Sequence, residues 1–290
     1  VGGDPYRSSG WNLSLIQPLL KGAGADVANA SVVVARYAEQ ANVLALKAVI
    51  TDTLTEVGTA YRAYFKTVKA LAINQQSVRR SKDLLTINRN LIAAGRMAEV
   101  DIVQSEADVA NQEFNLTAAE GAVDSARLAL LKVLGLSTQT RVLPQDRMDM
   151  QSVHYEYAQA LDMALQNRAD YLSGMLSVEV ARTRLMLAQN NLLPDLSVSG
   201  GYSQAQLASN APGLSSNGSN WSVGLRLTVP LGDLSLQQVV VQTKVDLEKA
   251  ELSLKKLRES IEIDIQNALR NVDISLRQVK LAERARELAE

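Results

Sequence analysis

Two segments of the chain alternate apolar and polar residues, and each begins with a tryptophan. In the first segment, Trp11, Leu13 and Leu15 fall on one side of an extended chain, and Asn12 and Ser14 fall on the other. Successive side chains of a β-strand point to opposite faces, so this alternation predicts a strand over 11–19 with one apolar and one polar face.

The second alternating segment spans 221–231, and a third spans 195–204. The apolar positions of these two segments are Trp221, Val223, Leu225, Leu227, Val229 and Leu231, and Leu196, Val198, Gly200 and Tyr202. A length near ten residues with an aromatic at one end is typical of strands that cross an outer membrane. The alternative is an edge strand of a soluble sheet. The stretch 205–220 is rich in Ser, Asn and Gly and predicts an exposed loop between the two strands.

Most of the remaining chain predicts unusually long helices. Residues 26–92 contain no Pro and, in their interior, only Gly58, and a helix of that length would measure roughly 100 Å. Residues 234–290 contain neither Gly nor Pro. Helices of this length with charges every few residues predict a coiled coil rather than a membrane span. Shorter helices are predicted over 98–134 and 155–193, with a candidate break in the second at 168–171.

The connection at 92–98 is too short for anything but a tight turn, so the first two helices are expected to form an antiparallel hairpin. Gly95 is expected to end the first helix in the left-handed conformation. Residues 135–154 predict an irregular linker.

The two halves of the chain resemble each other. Pro18 and Leu19 recur as Pro230 and Leu231 at an offset of 212. Four positions from Val57 to Ile73 align with hydrophobic residues at an offset of 208. These matches predict an internal duplication, with repeats over 1–134 and 155–290. Several expected partner elements would fall before the first residue or after the last, which predicts that the chain is a fragment of a longer protein lacking both ends.

Composition excludes several classes of protein. Lys and Arg number 30 and Asp and Glu 31, so no net field attracts nucleic acid, and we predict no nucleic-acid partner. Cys is absent, which removes disulfides and thiolate metal sites. The single histidine, His154, has no neighbouring His or Cys to complete a metal site. The carboxylates from Glu99 to Asp108 lie at a helix start, where they complement the helix dipole. We therefore predict no catalytic residues, no cofactor and no metal.

Three motifs in order resemble the TolC family of outer-membrane efflux and secretion ducts. They are Leu-Ser-Leu-Ile-Gln-Pro-Leu-Leu-Lys-Gly at 13–22, Gly-Arg-Met-Ala-Glu-Val-Asp at 95–101, and Asn-Asn-Leu-Leu-Pro-Asp-Leu-Ser-Val-Ser at 190–199. The resemblance spans essentially the whole chain. Arg-Ala-Asp at 168–170 departs from the family's usual Arg-Pro-Asp or Arg-Pro-Glu and puts the helix start there in doubt.

The resemblance implies a mainly α fold in which very long antiparallel coiled-coil helices accompany a small set of transmembrane-type β-strands. In the full protein these would form a trimeric α-barrel and a β-barrel. It also implies a homotrimer in the outer membrane of a Gram-negative bacterium, with its helices in the periplasm. The expected partners are outer-membrane lipid, a periplasmic adaptor and an inner-membrane pump, and the cargo would be small molecules or proteins. The alternative is a soluble coiled-coil scaffold or periplasmic adaptor without a membrane barrel.

Under this reading, each strand face and the hairpin turn has an expected role. The residues expected to face lipid are Leu13, Leu15, Leu196, Val198, Val223, Leu225 and Leu227. Those expected to line the lumen are Asn12, Ser14, Ser197, Ser199, Ser222, Arg226 and Thr228. An aromatic belt is expected at Trp11, Tyr202 and Trp221. The tip expected to dock the adaptor consists of Ala94, Gly95, Arg96, Met97, Ala98 and Glu99.

Overall fold

The computed structural model describes residues 7–145, 155–208 and 216–289, which hold long helices and one small sheet. The elements in chain order are β1 (Arg7–Pro18), α1 (Ala25–Ala93), α2 (Val100–Leu134), α3 (Tyr157–Asn167), α4 (Ala169–Asn191), β2 (Asp195–Ala208), β3 (Ser216–Thr228) and α5 (Leu234–Ala289). The chain divides into two compact units, one of residues 1–46 and 154–290 and the other of residues 47–153.

The two longest helices are continuous over 69 residues in α1 and 56 residues in α5. Neither contains a proline, and α1 contains one interior glycine, Gly58. None of the helices in the described part of the chain is both long and apolar enough to cross a membrane.

In the first unit, the three strands form an antiparallel sheet in the order β1-β2-β3. The chain leaving β1 stays hydrogen-bonded to the start of β2, because the Leu19 amide donates to the carbonyl of Leu196 at 2.7 Å and the Lys21 amide donates to that of Pro194 at 3.2 Å. The Gly22 amide then donates to Asn190 Oδ1 at 2.7 Å. These hydrogen bonds hold the segment that precedes α1 against the end of α4 and the start of β2.

The hairpin of β2 and β3 is longer than its sequence pattern predicts. The predicted loop over 205–220 is therefore wrong at both ends. Residues 205–208 and 216–220 are paired strand, and only 209–215 lie outside the described residues. The alternation of apolar and polar residues is lost there, because 216–220 are all Ser, Asn or Gly and Leu207 falls on the polar face, while the backbone pairing continues. The predicted end of the third strand at residue 231 is also too late, since β3 stops at Thr228. Pro230 has no amide hydrogen for a ladder, and Gly232 turns the chain with φ +68°.

The predicted break in the fourth helix lies at Arg168, which separates α3 from α4 with extended backbone angles (φ −69°, ψ 118°). Its guanidinium donates to Asp170 at 2.7 and 3.1 Å and to Asp264 of α5 at 3.3 Å. The hydrogen bond from Arg168 lowers the pKa of Asp170. The pair therefore contributes stability above the usual carboxyl pKa, and this contribution is lost as the pH falls through the lowered value.

The helices α4 and α5 pack against each other most closely at Gly174. A Cβ atom at this position would lie 3.1 Å from Leu254 Cδ1 and 3.7 Å from Leu257 Cδ2. The nearby Ile261 is fully buried. The absence of a side chain at Gly174 thus lets two leucines of α5 approach the α4 backbone.

In the second unit, α2 packs antiparallel on the C-terminal part of α1. Asn88 Nδ2 donates to Ser105 Oγ at 2.8 Å, and salt bridges join Lys82 to Glu113 and Arg89 to Glu106. The less exposed side of α2 repeats at alternating steps of three and four residues, which is the heptad spacing of a coiled coil. Its members are Ile102, Ser105, Val109, Gln112, Leu116, Ala119, Val123, Ala126 and Leu130.

A second stripe on α2 has the same heptad spacing but is exposed. It consists of Val100, Val103, Ala107, Ala110 and Phe114, and Val100 and Phe114 are 73% and 74% exposed. The stripe is displaced by two residues from the seam with α1, which is a rotation of about 200° around the helix. The helix α2 therefore has apolar stripes on opposite sides, of which one is occupied within this chain.

The described part of the predicted linker, residues 135–145, folds back onto the helices. The Tyr64 hydroxyl of α1 donates to the carbonyl of Val142 at 2.7 Å, and Arg127 of α2 donates to the carbonyls of Thr138 and Thr140 at 2.9 and 3.3 Å. The rest of the linker, 146–154, lies outside the described residues, as does His154.

Replacing Gly174 by leucine is expected to lower the free energy of unfolding by about 1–3 kcal/mol, because the new side chain overpacks the contact with Leu254. Gly58→Leu is the matched control, since a Cβ at Gly58 of α1 meets nothing within 4 Å. Urea unfolding followed by circular dichroism measures both. An equal loss of stability in the two variants would contradict the close approach of α4 and α5.

Candidate functional site

The sheet of the first unit collects the apolar residues of all three strands on one face. Residues directly opposite each other in neighbouring strands point to the same side of a sheet. The observed register gives the rows Leu13–Tyr202–Trp221, Leu15–Gly200–Val223, Val198–Leu225 and Leu196–Leu227. The seven residues expected to face lipid therefore share one face.

This apolar face is uncovered in the chain. Leu15, Val223 and Leu225 are each more than 70% exposed, and Leu13 and Leu227 are 67% and 61% exposed. A large contiguous apolar surface marks an interaction site with a membrane or another protein. In a soluble sheet, we would expect such a face to be packed under helices, and here it is not.

The three aromatic residues lie close together on the same face. The rings of Trp11 and Tyr202 have centroids 5.1 Å apart at a tilt of 44°, and Tyr202 is directly opposite Trp221. Trp221 is 76% exposed. The clustering at one level fits an amphipathic belt, in which ring bodies contact an apolar medium and polar edges contact water.

The opposite face of the sheet carries small and polar side chains. Its rows are Asn12–Ser203–Asn220, Ser14–Gly201–Ser222, Ile16–Ser199–Gly224, Pro18–Ser197–Arg226 and Asp195–Thr228. All seven residues expected to line the lumen share this face. Sequence reasoning missed Ile16, which interrupts the polar side at 65% exposure. It also missed Asp195, although the odd-numbered positions of β2 place it with Ser197 and Ser199.

Glycine and serine alternate across the middle of the polar face because the side chains there meet closely. A Cβ at Gly201 would lie 2.9 Å from Ser222 Oγ, and one at Gly224 would lie 3.0 Å from Ser199 Oγ. The result is a low, hydroxyl-rich surface with little side-chain bulk.

The turn between α1 and α2 is a Schellman motif centred on Gly95. Gly95 has φ +68°, its amide donates to the carbonyl of Ile92, and the Arg96 amide donates to that of Leu91, each at 2.9 Å. This left-handed conformation strains any residue with a Cβ atom, and glycine avoids the cost. The turn thus ends α1 sharply and starts α2 within a few residues.

The helix after the turn begins two residues later than the sequence predicts. Glu99 is its N-cap and Val100 its first residue, and Asp101 stands in the first turn. The Asp101 and Ile102 amides donate to the carbonyls three residues earlier, so tight turns lead into the helix.

Five of the six tip residues are exposed, and Met97 is half-buried. Sequence reasoning missed Val100 and Val103, which continue the exposed apolar surface of the tip onto α2. Extending the heptad spacing of Ala107 and Ala110 towards the turn would have identified both valines as members of the same stripe.

Neither surface carries a catalytic arrangement. Within 7–145, 155–208 and 216–289, no three carboxylate or imidazole groups are placed to hold a metal ion. The carboxylates near the tip are engaged in salt bridges or lie exposed on α2. What the site offers is a sheet with one apolar and one polar face, together with an exposed turn.

Solved structures that resemble this chain include outer-membrane channels and an outer-membrane protein. The outer-membrane channel OprN matches with a TM-score of 0.69 at 15% identity, over 98% of this chain and 68% of its own. VceC of Vibrio cholerae matches with a TM-score of 0.73 at 13% identity, over 99% and 74%. The open state of MtrE of Neisseria gonorrhoeae matches with a TM-score of 0.60 at 14% identity, over 98% and 66%. At these identities the likeness concerns the fold, and it confirms the predicted fold class.

No curated protein sequence matches the chain significantly. The family comparison is decisive, because the sequence matches the outer membrane efflux protein family over residues 2–136 and 160–290. That family consists of channel components and not of enzymes. The predicted resemblance is confirmed, and the chain belongs to the outer membrane efflux protein family, with the TolC-like fold of an outer-membrane efflux channel component.

Proposed function

We propose that this chain is part of the subunit of a trimeric duct that spans the periplasm of a Gram-negative bacterium and exports small molecules or proteins. The duct would lie in the outer membrane with its helices in the periplasm. It would act with a periplasmic adaptor and an inner-membrane pump, in a tripartite efflux or type I secretion system. The observation that carries this proposal is the uncovered apolar face of the sheet.

The backbone of the sheet supports assembly with further strands. In lipid, every amide and carbonyl must be hydrogen-bonded, so strands span a membrane only as a closed barrel. The described sheet has three strands and two open edges, along β1 and β3. Strands from other copies of the subunit would pair these edges.

The faces of the sheet then have distinct surroundings. The face of Leu15, Val223 and Leu225 contacts lipid, and the face of Ser14, Ser199 and Ser222 contacts the aqueous lumen. Trp11, Tyr202 and Trp221 form the belt at the membrane interface, where aromatic residues concentrate in outer-membrane barrels.

The helices support the same assembly through α2. A helix with apolar stripes on opposite sides needs a neighbour on each side, and α1 supplies one. A second copy of the subunit would cover Val100, Val103 and Phe114 on the other side. A ring of helices that each have two neighbours closes into an α-barrel.

The tip from Ala94 to Glu99 is proposed as the docking site for the adaptor. The Schellman turn exposes the backbone around Gly95 and the small side chains of Ala94 and Ala98. Small residues allow a partner's helical hairpin to approach the turn closely.

The alternative, a soluble coiled-coil scaffold or adaptor, accounts for the helices but not for the sheet. A soluble protein would leave a face bearing two tryptophans and several aliphatic residues in water, at a cost of about 25 cal/mol per Å² of apolar surface. The duct buries this face in lipid.

Assembly is tested on the full-length protein extracted from cells. We expect it in the outer-membrane fraction and as a trimer in detergent, measured by fractionation and by light scattering. Recovery of the full-length protein as a soluble monomer would end the duct hypothesis.

The lipid and lumen faces are tested with arginine substitutions at nearby exposed positions of β3. Leu225→Arg should destabilise membrane assembly by roughly 2–4 kcal/mol if the site is near mid-bilayer. Thr228→Arg, on the other face, should leave assembly intact and change the conductance. Urea unfolding in lipid vesicles and planar-bilayer recording measure the two effects. Equal tolerance of both substitutions would contradict the assigned faces.

Docking at the tip is tested by Gly95→Val, which strains the left-handed turn by about 1–2 kcal/mol. We expect export to be lost while the trimer and its outer-membrane location persist. The matched control is Gly135→Val, because Gly135 closes the other end of α2 in the same Schellman motif with φ +66°. The control should suffer the same strain and still export.

Cross-linking gives a second measure of docking. Cysteines at Arg96 or Ala98 should cross-link to the adaptor in cells, and one at the half-buried Met97 should react more slowly. Export that is unchanged by substitutions throughout Ala94 to Glu99 would show that the tip is only a turn.

A further inference from the structure

The polar face of the sheet carries very few charges. Along the described strands it consists of Ser, Gly, Asn, Thr, Ala, Ile, Leu and Pro, with two ionisable exceptions. These are Arg226 on β3 and Asp195 at the start of β2. Both lie at the end of the sheet where the strands join the helices.

The two charges occupy adjacent rows. Arg226 is opposite Ser197, and Asp195 is opposite Thr228, so the residues are diagonal neighbours on β2 and β3. Neither has an ion-pair partner within 4.0 Å among the described residues. The backbones of diagonal neighbours in a sheet are typically about 7–8 Å apart, which is close enough for both charges to affect the same passing ion.

Arg226 projects from a surface of low side chains. Its row partner Ser197 is 8% exposed, and the next row holds Ser199 and Gly224. The Arg226 side chain itself is exposed.

The remaining charges at this end belong to the junction with the helices. Lys21 lies beside the first row, since its amide donates to the carbonyl of Pro194 at 3.2 Å. Asp233 caps α5, and its pKa is lowered by the hydrogen bond from Ser235 and, less strongly, by the charge of Lys21. Lys21 and Asp233 thus belong to the junction, and Asp195 and Arg226 are the charges on the polar face of the sheet itself.

We propose that Arg226 and Asp195 set which charge of solute the strand-lined passage favours, with Arg226 attracting anions and Asp195 opposing it. This inference rests on the proposed function, in which the polar face lines the lumen. In a trimer, three copies of each residue stand at one level of the passage. Fixed charges that line a passage raise the local concentration of ions of opposite sign, and salt screens them over about 10 Å at 0.1 M.

The test is the reversal potential of single channels of the full-length protein in planar bilayers, under a potassium chloride gradient near 0.1 M. Arg226→Gln should lower the ratio of chloride to potassium permeability by about twofold or more, and Asp195→Asn should raise it. Both shifts should shrink near 1 M salt, where the screening length is about 3 Å. Arg226→Lys, which keeps the charge, and Ser222→Ala, on the same face, are the matched controls and should leave the ratio unchanged.

A second variant covers the case in which Arg226→Gln fails to assemble. This chain contains no cysteine, so Arg226→Cys can be modified in the open channel with a cationic or an anionic thiol reagent. The cationic reagent should restore the preference for anions, and the anionic reagent should shift it towards cations.

The outcomes separate the inference from the proposed function. Channels that conduct with the same permeability ratio in wild type, Arg226→Gln and Asp195→Asn at low salt would overturn the inference alone. A wild-type trimer that forms no conducting channel would overturn the proposed function and the inference with it.

Discussion

The structure depends on apolar surface that one chain does not bury. The sheet exposes the face of Leu15, Val223 and Leu225, and α2 exposes the stripe of Val100, Val103 and Phe114. The sheet face repeats with the two-residue period of a strand, and the stripe on α2 repeats with the heptad period of a helix. Each can therefore pack against a long neighbouring surface. In the proposed duct, lipid and further copies of the subunit would supply the contacts that the single chain lacks.

Small residues allow close packing at two places in the chain. Gly174 brings α4 and α5 together, and the glycine–serine pairs of the sheet keep its polar face low. Arg226 and Asp195 are the two ionisable side chains on that polar face along the described strands. In the proposed duct, a wall of this composition would discriminate between solutes by size and by the few charges that it carries.

Much of the fold could be predicted from the sequence, because the signals are long and local. The strand faces follow from alternation around Trp11 and Trp221, and the left-handed Gly95 follows from a short turn between two helices. The break at Arg168 was predicted, although the usual proline is replaced by Ala169. The errors occur where the local signal ends. The hairpin continues past Gln204 because β1 and β3 remain paired with β2, although the residues there no longer alternate between apolar and polar. The duplication and the roles of the site residues remain predictions.

The sequence by itself determined the type of each element and the face on which its apolar residues lie, because both follow from the repeat of a single strand or helix. Only the tertiary structure decided which of those faces are covered. It buried the Ile102–Leu130 seam of α2 against α1 and left the stripe beginning at Val100 open, although both have the same spacing. It also half-buried Met97 and brought Asp195 beside Arg226. The physical reason is that periodicity belongs to one segment, whereas burial and charge pairing depend on which other segment packs against it.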